Sequence, residues 1–183
     1  IPMEKSREQK NTIIVCVMTA FITTFMGSAL NLSVPALEEE FRVGAQTVGW
    51  VVTIYMLTCA ALAVPFGRLA DRISRELILR AGLLIFSVAS AAAVISLDMK
   101  TFLFFRVVQG IGASMIFSTN IAILAGAFSK EKRGKVLGYS TCATYTGLSA
   151  GPVLGGILNQ NLGWRAIFIA TAVVSAAAFY GAV

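Results

Sequence analysis

The chain has no histidine, only nine acidic residues and a charged share of 13%, about half that of an ordinary soluble domain. It holds no nucleophile–base pair, no phosphate-cradling loop and no cluster of metal-ligating side chains. Nothing in it supports an enzyme, and neither cofactor nor metal is expected. The three cysteines, Cys16, Cys59 and Cys142, are odd in number and lie inside apolar stretches at no metal-binding spacing. They read as small core residues. Acid is missing where it would matter most, because no carboxylate falls inside any long apolar run.

What is present is apolar. Hydrophobic residues make up 57% of the 183 positions, and the mean hydropathy is +0.79. The net charge of +6 raises the question of nucleic acid. The basic residues punctuate long apolar runs instead of forming a polar face, so nucleic acid is excluded as a partner and a lipid bilayer is expected.

Runs near 12–35, 47–66, 77–97, 101–128, 136–158 and 164–183 are each long enough to cross a hydrocarbon core of roughly 30 Å as a helix. The predicted fold class is an all-α membrane protein, a bundle of six transmembrane helices. Residues 1–11 form a short cytoplasmic N-terminus, in which Ile1-Pro2 ahead of Met3 is expected to be a cloning remnant. Residues 12–183 form the transmembrane domain. The first run is too long and too polar for a cleaved signal peptide.

Basic residues alternate between segments. The N-terminus has Lys5, Arg7 and Lys10, the second-to-third connection has Arg68, Arg72, Arg75 and Arg80, and the fourth-to-fifth has Lys130, Lys132, Arg133 and Lys135. Together these hold 11 of the 15 lysines and arginines. By the positive-inside rule both ends of the segment face the cytoplasm, and Glu38–Glu40 face outward.

Polar residues inside the runs single out three places. Thr24, Ser28, Asn31 and Pro35 recur at helical spacing in the first run and predict a face turned to the bundle interior or a cavity. Arg106 and Gln109 share a face of the fourth. An arginine within a membrane helix costs about 2.5–3.5 kcal/mol on insertion scales, so Arg106 either snorkels to the nearby interface or serves an inward role. Gly147, Gly151 and Gly155 form a smooth face on the fifth for close packing, and Pro152 is expected to bend that helix.

These stretches together resemble the major facilitator superfamily of secondary transporters. "GRLADRISR", residues 67–75, is similar to its motif between helices two and three, matching at Gly67, Leu69, Asp71, Arg72 and Arg75, with Ser74 in place of the usual second glycine. "RVVQGIG" from Arg106 resembles the fourth-helix motif. "GLSAGPVLGG", residues 147–156, which includes Gly156, resembles the fifth-helix motif of drug–proton antiporters. "WVVTIYML", residues 50–57, and "NLSVPAL", residues 31–37, resemble the fourteen-helix branch. Met26 stands where that branch commonly has an aspartate.

The resemblance implies the N-terminal six-helix half of a longer transporter, made of two inverted three-helix repeats, with a C-terminal half as partner and the site between them. Alone, the segment is expected to self-associate through the uncovered face. The resemblance implies proton-coupled export of small amphipathic, often cationic compounds across the cell membrane. Asn31, Trp50, Tyr55, Arg106 and Gln109 would line the substrate and proton pathway. Gly67, Asp71, Arg72, Arg75, Glu131 and Arg133 would gate it, with Arg75 paired to Glu131. Gly147, Gly151, Pro152, Gly155 and Gly156 would form a face that seals or opens the pathway. Two rivals stand beside this reading: a uniporter or uptake symporter for a polar metabolite, which Met26 favours, and a non-transporting six-helix scaffold.

Overall fold

A computed structural model describes residues 2–182. Seven α-helices form six rods. The first rod is α1 (Pro2–Ala29), continued through a 3-10 turn at Leu30–Ser33 into α2 (Val34–Phe41). The others are α3 (Ala45–Arg72), α4 (Arg75–Val94), α5 (Met99–Ala127), α6 (Lys130–Leu162) and α7 (Arg165–Ala182).

The ends have local causes. Pro35 lies in the first turn of α2, where its missing N–H costs nothing. Arg42 takes a left-handed conformation (φ 52°) and its N–H closes on the Glu38 carbonyl, a C-terminal stop. Asp98 caps α5: its Oδ1 accepts from the Thr101 N–H at 2.9 Å and its Oδ2 from the Thr101 hydroxyl at 2.7 Å. These bonds hold its carboxyl below the usual carboxylate range, so this cap is present at neutral pH and lost as pH falls through that lowered value.

The charged stretch 67–80 is almost wholly helical. The expected second helix ended near 66, but α3 carries on to Arg72, and only Ile73 and Ser74 lie outside a helix. Ser74 fills the place of the expected glycine by another route. Its backbone is extended, and its hydroxyl accepts from the Leu77 N–H at 3.3 Å, starting α4. A serine is among the best residues for that cap.

Two close crossings build the bundle. At Gly112 of α5 a Cβ would meet the Phe86 backbone nitrogen at 2.7 Å and the Gly82 carbonyl at 2.8 Å, so α4 and α5 touch backbone to backbone. The face Gly147, Gly151, Gly155 does the same for α6 against α1. Between them lies one core that includes Met26, Tyr55, Phe86, Phe102 and Phe168. Phe41, Phe102, Trp164 and Phe168 cluster at the end far from the charged stretch, with ring centroids 5.0–5.8 Å apart.

Five rods are long and apolar enough to span a membrane. The exception is α6, whose early turns hold lysine and arginine and whose middle is rich in glycine, serine and threonine. Its membrane-depth residues suit packing on α1 more than contact with lipid. Large side chains such as Trp50, Leu57, Val64, Val88, Phe104 and Ile121 stand exposed around the bundle, as expected of surface meant for lipid or for another protein face.

Candidate functional site

Arg106 is fully buried, which settles the choice between snorkelling and an inward position. It sits near the start of α5, where it faces α3. Its Nε donates to the Val51 carbonyl at 2.9 Å, and its Nη1 donates to Gln109 Oε1, one turn on. The guanidinium lies over the Tyr55 ring, 4.3 Å from the centroid, a cation–π contact strengthened by the lack of water. Nη2 has no partner among the described residues.

The network extends outward from there. Gln109 Nε2 donates to the Ser90 hydroxyl at 2.7 Å, which donates to the Phe86 carbonyl at 2.6 Å. The Tyr55 hydroxyl donates to the Thr23 carbonyl of α1 at 2.9 Å. Arg106 therefore ties α5 to α3 directly, to α4 through Gln109, and to α1 through Tyr55. Among the described residues no aspartate or glutamate is buried, so this positive charge has no anion in the core.

The residues expected along a pathway fall into two groups. Tyr55, Arg106 and Gln109 are brought together in the interior, while Asn31 and Trp50 are exposed. The polar stripe of the first rod divides likewise. Thr24 and Ser28 are buried against α6, where the Ser28 hydroxyl reaches the Gly147 carbonyl at 3.4 Å, whereas Asn31 and Pro35 are exposed. Met26 is fully buried, and its sulfur accepts from the Thr171 hydroxyl of α7 at 3.3 Å. Pro152 lies within α6, which stays helical through it.

At the charged end, the expected Arg75–Glu131 pair does not form. Arg75 instead grips Asp71 with Nε and Nη2, at 2.9 and 2.7 Å, and reaches the Ala122 carbonyl of α5 at 3.4 Å. The two-residue link places Asp71 and Arg75 on adjoining helix ends, so the nearer acid takes the guanidinium. Glu131 is stabilised by the Ser129 hydroxyl, which holds its carboxyl below the usual range. Arg133 donates to the Phe128 carbonyl at 3.1 Å, and Arg72 is exposed in the last turn of α3. A Cβ at Gly67 would make only ordinary contact with Ser118, at 3.8 Å.

Two clusters escaped sequence reasoning. Asn120 donates through Nδ2 to the Cys16 carbonyl and the Thr19 hydroxyl, both at 2.8 Å, and its Oδ1 accepts from Ser140 at 3.1 Å. It pins α1, α5 and α6 together, and a lone amide inside an apolar run was the available signal. At the far end, Glu40 accepts from the Trp164 indole N–H and pairs with Arg165 at 2.6 Å, while Arg165 Nε donates to the Val94 carbonyl at 2.9 Å. Nothing local signals that clamp, since its partners lie 124 residues apart.

Comparison with known proteins places this arrangement. The chain is 34% identical over 157 residues to the riboflavin transporter RibZ of Clostridioides difficile, covering 86% of this chain and 34% of that protein. It is 30% identical to the methyl viologen resistance protein SmvA of Salmonella typhimurium, over 86% of this chain and 32% of that one. It is 29% identical to the methylenomycin A resistance protein of Bacillus subtilis, over 94% and 37% respectively. The chain thus spans about a third of the length of these relatives. The solved proton:xylose symporter XylE superposes with a TM-score of 0.84 at 14% identity, over 96% of this chain and 44% of that one, which is a likeness of fold. A profile of the Major Facilitator Superfamily matches residues 16–183, and the chain belongs to that superfamily of transporters.

Proposed function

We propose that this six-helix unit works within a longer secondary transporter that exports small amphipathic, often cationic compounds in exchange for protons, by alternating access across the cell membrane. The observation that carries the reading is Arg106, a buried charge held directly to α3, linked through Gln109 and Tyr55 to α4 and α1, and left without an anion among the described residues. Such a charge favours ionisation of a carboxylate that approaches it and so helps release a proton. The likeness to SmvA and to the methylenomycin A resistance protein supports export. Trp50 and Asn31, exposed on the same unit, supply surface for substrate. The packed α6 face and the Asp71–Arg75 pair serve as the elements that seal and release the pathway.

The test uses the full-length protein in proteoliposomes with an imposed pH gradient and a fluorescent cationic compound. Expected is compound movement against the proton flow that collapses when an ionophore dissipates the gradient. Movement indifferent to the gradient overturns proton coupling.

A second reading, a uniporter or uptake symporter for a polar metabolite, is favoured by one specific feature. Position 26 holds methionine, buried against Thr171, and no acid is buried among the described residues. The 34% identity to RibZ supports it too. The same assay separates the two, since a uniporter moves the compound only down its own gradient and a proton-coupled symporter moves it with the proton flow instead of against it.

The orientation follows from charge: the end with Arg68, Arg72 and Lys132 faces the cytoplasm. In a cysteine-free background, a cysteine at Glu39 should react with an impermeant thiol reagent on intact cells, and one at Lys132 only after permeabilisation. Both positions are exposed, so folding does not mask them. The opposite labelling pattern would invert the topology.

A further inference from the structure

A cleft of about 230 Å³ lies between α5 and α6, with Ala20 of α1 in its lining. Its polar lining is Asn120, Ser140, Thr141 and Thr144, and Phe117 and Ile121 form part of its apolar wall. No charged side chain lines it. We propose that this cleft takes the uncharged, hydrogen-bonding ring edge of a transported compound, leaving any cationic end to be held elsewhere. This inference rests on the transport reading above.

Four observations carry it. The cleft is smaller than the roughly 300–1,000 Å³ that encloses a whole drug-sized ligand, so it holds one part of a molecule. Its amide is fixed in place. Both Asn120 N–H groups are spent on α1, at 2.8 Å each, and Oδ1 accepts once, from Ser140. A carbonyl oxygen accepts twice, so one acceptor site remains on an immobile group. The Thr144 hydroxyl donates to the Ser140 carbonyl at 3.0 Å, which leaves its oxygen as an acceptor, while exposed Thr141 brings a hydroxyl that both donates and accepts. A flat ring edge carrying N–H and C=O groups matches that set, and Phe117 offers it an aromatic neighbour.

Charge argues the same way. Among the described residues Arg106 is the only buried charged one, and it lies on the same helix as Asn120, about 21 Å along the axis by helical rise. At that distance the repulsion of a cation in this cleft is about 0.8 kcal/mol at an effective dielectric constant of about 20, a small bias that a neutral ring does not feel.

The test uses the full-length transporter in detergent with two probes. Riboflavin is an uncharged heteroaromatic with a hydrogen-bonding edge, read by quenching of its own fluorescence. Methyl viologen is a dication with no such edge. Riboflavin is expected to bind, and Ile121→Trp, which fills the cleft from an exposed position, should weaken it at least tenfold. Thr141→Val removes one neutral hydrogen bond and should weaken it about threefold to tenfold. A hundredfold excess of methyl viologen should not displace it. Unchanged thermal midpoints of both variants show that they fold.

Absence of riboflavin binding, equal binding by Ile121→Trp, or ready displacement by methyl viologen overturns the proposal. A cleft already filled by the transporter's own side chain would give the first or second of these results. Gradient-driven transport of methyl viologen without cleft-dependent riboflavin binding would sink the cleft and keep the exporter. Cleft-dependent riboflavin binding without any gradient-driven transport would do the reverse.

Discussion

Replacing Arg106 with lysine should lower gradient-driven transport at least tenfold while the protein still inserts and folds. The two side chains carry the same charge, so a role limited to positive potential would survive the exchange. The contacts would not. Arg106 uses two edges of a planar group at once, Nε toward Val51 and Nη1 toward Gln109, with its face on Tyr55. A lysine ammonium is a compact point donor on a flexible stem and cannot satisfy both edges or stack on the ring. Losing one charge-assisted hydrogen bond in a dry site costs about 1.5–3 kcal/mol, and a tenfold rate change needs only about 1.4 kcal/mol.

Arg106→Met separates structure from function. Methionine removes a charge whose desolvation no anion offsets, and that gain works against the roughly 1–3 kcal/mol lost by leaving buried Gln109 Oε1 without its donor. The methionine variant should therefore keep a near-normal thermal midpoint yet transport nothing above empty liposomes. Initial rates at matched protein amounts read both variants. Near-wild-type rates with lysine would make the guanidinium geometry irrelevant, and near-wild-type rates with methionine would make Arg106 a packing residue.

How much of this was legible in the sequence depends on the range of the interaction. The apolar runs announced six rods, because membrane-length hydrophobicity is a property of about twenty neighbouring residues. The inward position of Arg106 was foreshadowed by Gln109 on the same face, a local pattern. The glycine spacing on α6 predicted a close neighbour, although only the structure identifies it as α1. Other features depend on parts far apart in the chain. Glu40 was one of three successive acids, and nothing nearby marked it as the partner of Trp164 and Arg165. Asn120 drew no attention because its partners Cys16, Thr19 and Ser140 lie on two other helices. The Arg75–Glu131 pairing failed for the opposite reason. A long-range partner was inferred where a two-residue link had already put Asp71 within reach. The 3-10 turn at Leu30–Ser33 interrupts a run that hydropathy reads as continuous.

The largest effect on stability is expected at Gly155. A Cβ there would stand 2.9 Å from both Cα and Cβ of Ala29, closer than carbon atoms approach. Ala29 is fully buried, and the atoms met are backbone and its first side-chain carbon, which have no rotamer by which to move away. Even Gly155→Ala must push α1 and α6 apart, and overpacking of this kind costs about 1–3 kcal/mol. Separation at this level also strains the contact between Ser28 and Gly147 two turns away, so the damage should spread along the stripe. Gly155→Leu should leave little folded protein. Gly138 supplies the control, because it lies on the same helix with nothing within 4 Å of the added carbon. There, exchange to alanine only improves helix propensity, by roughly 0.5–1 kcal/mol. In detergent, Gly155→Ala should lower the thermal midpoint by several degrees and Gly138→Ala should hold or raise it. Equal midpoints for the two alanine variants would mean that the glycine face of α6 does not set its distance from α1.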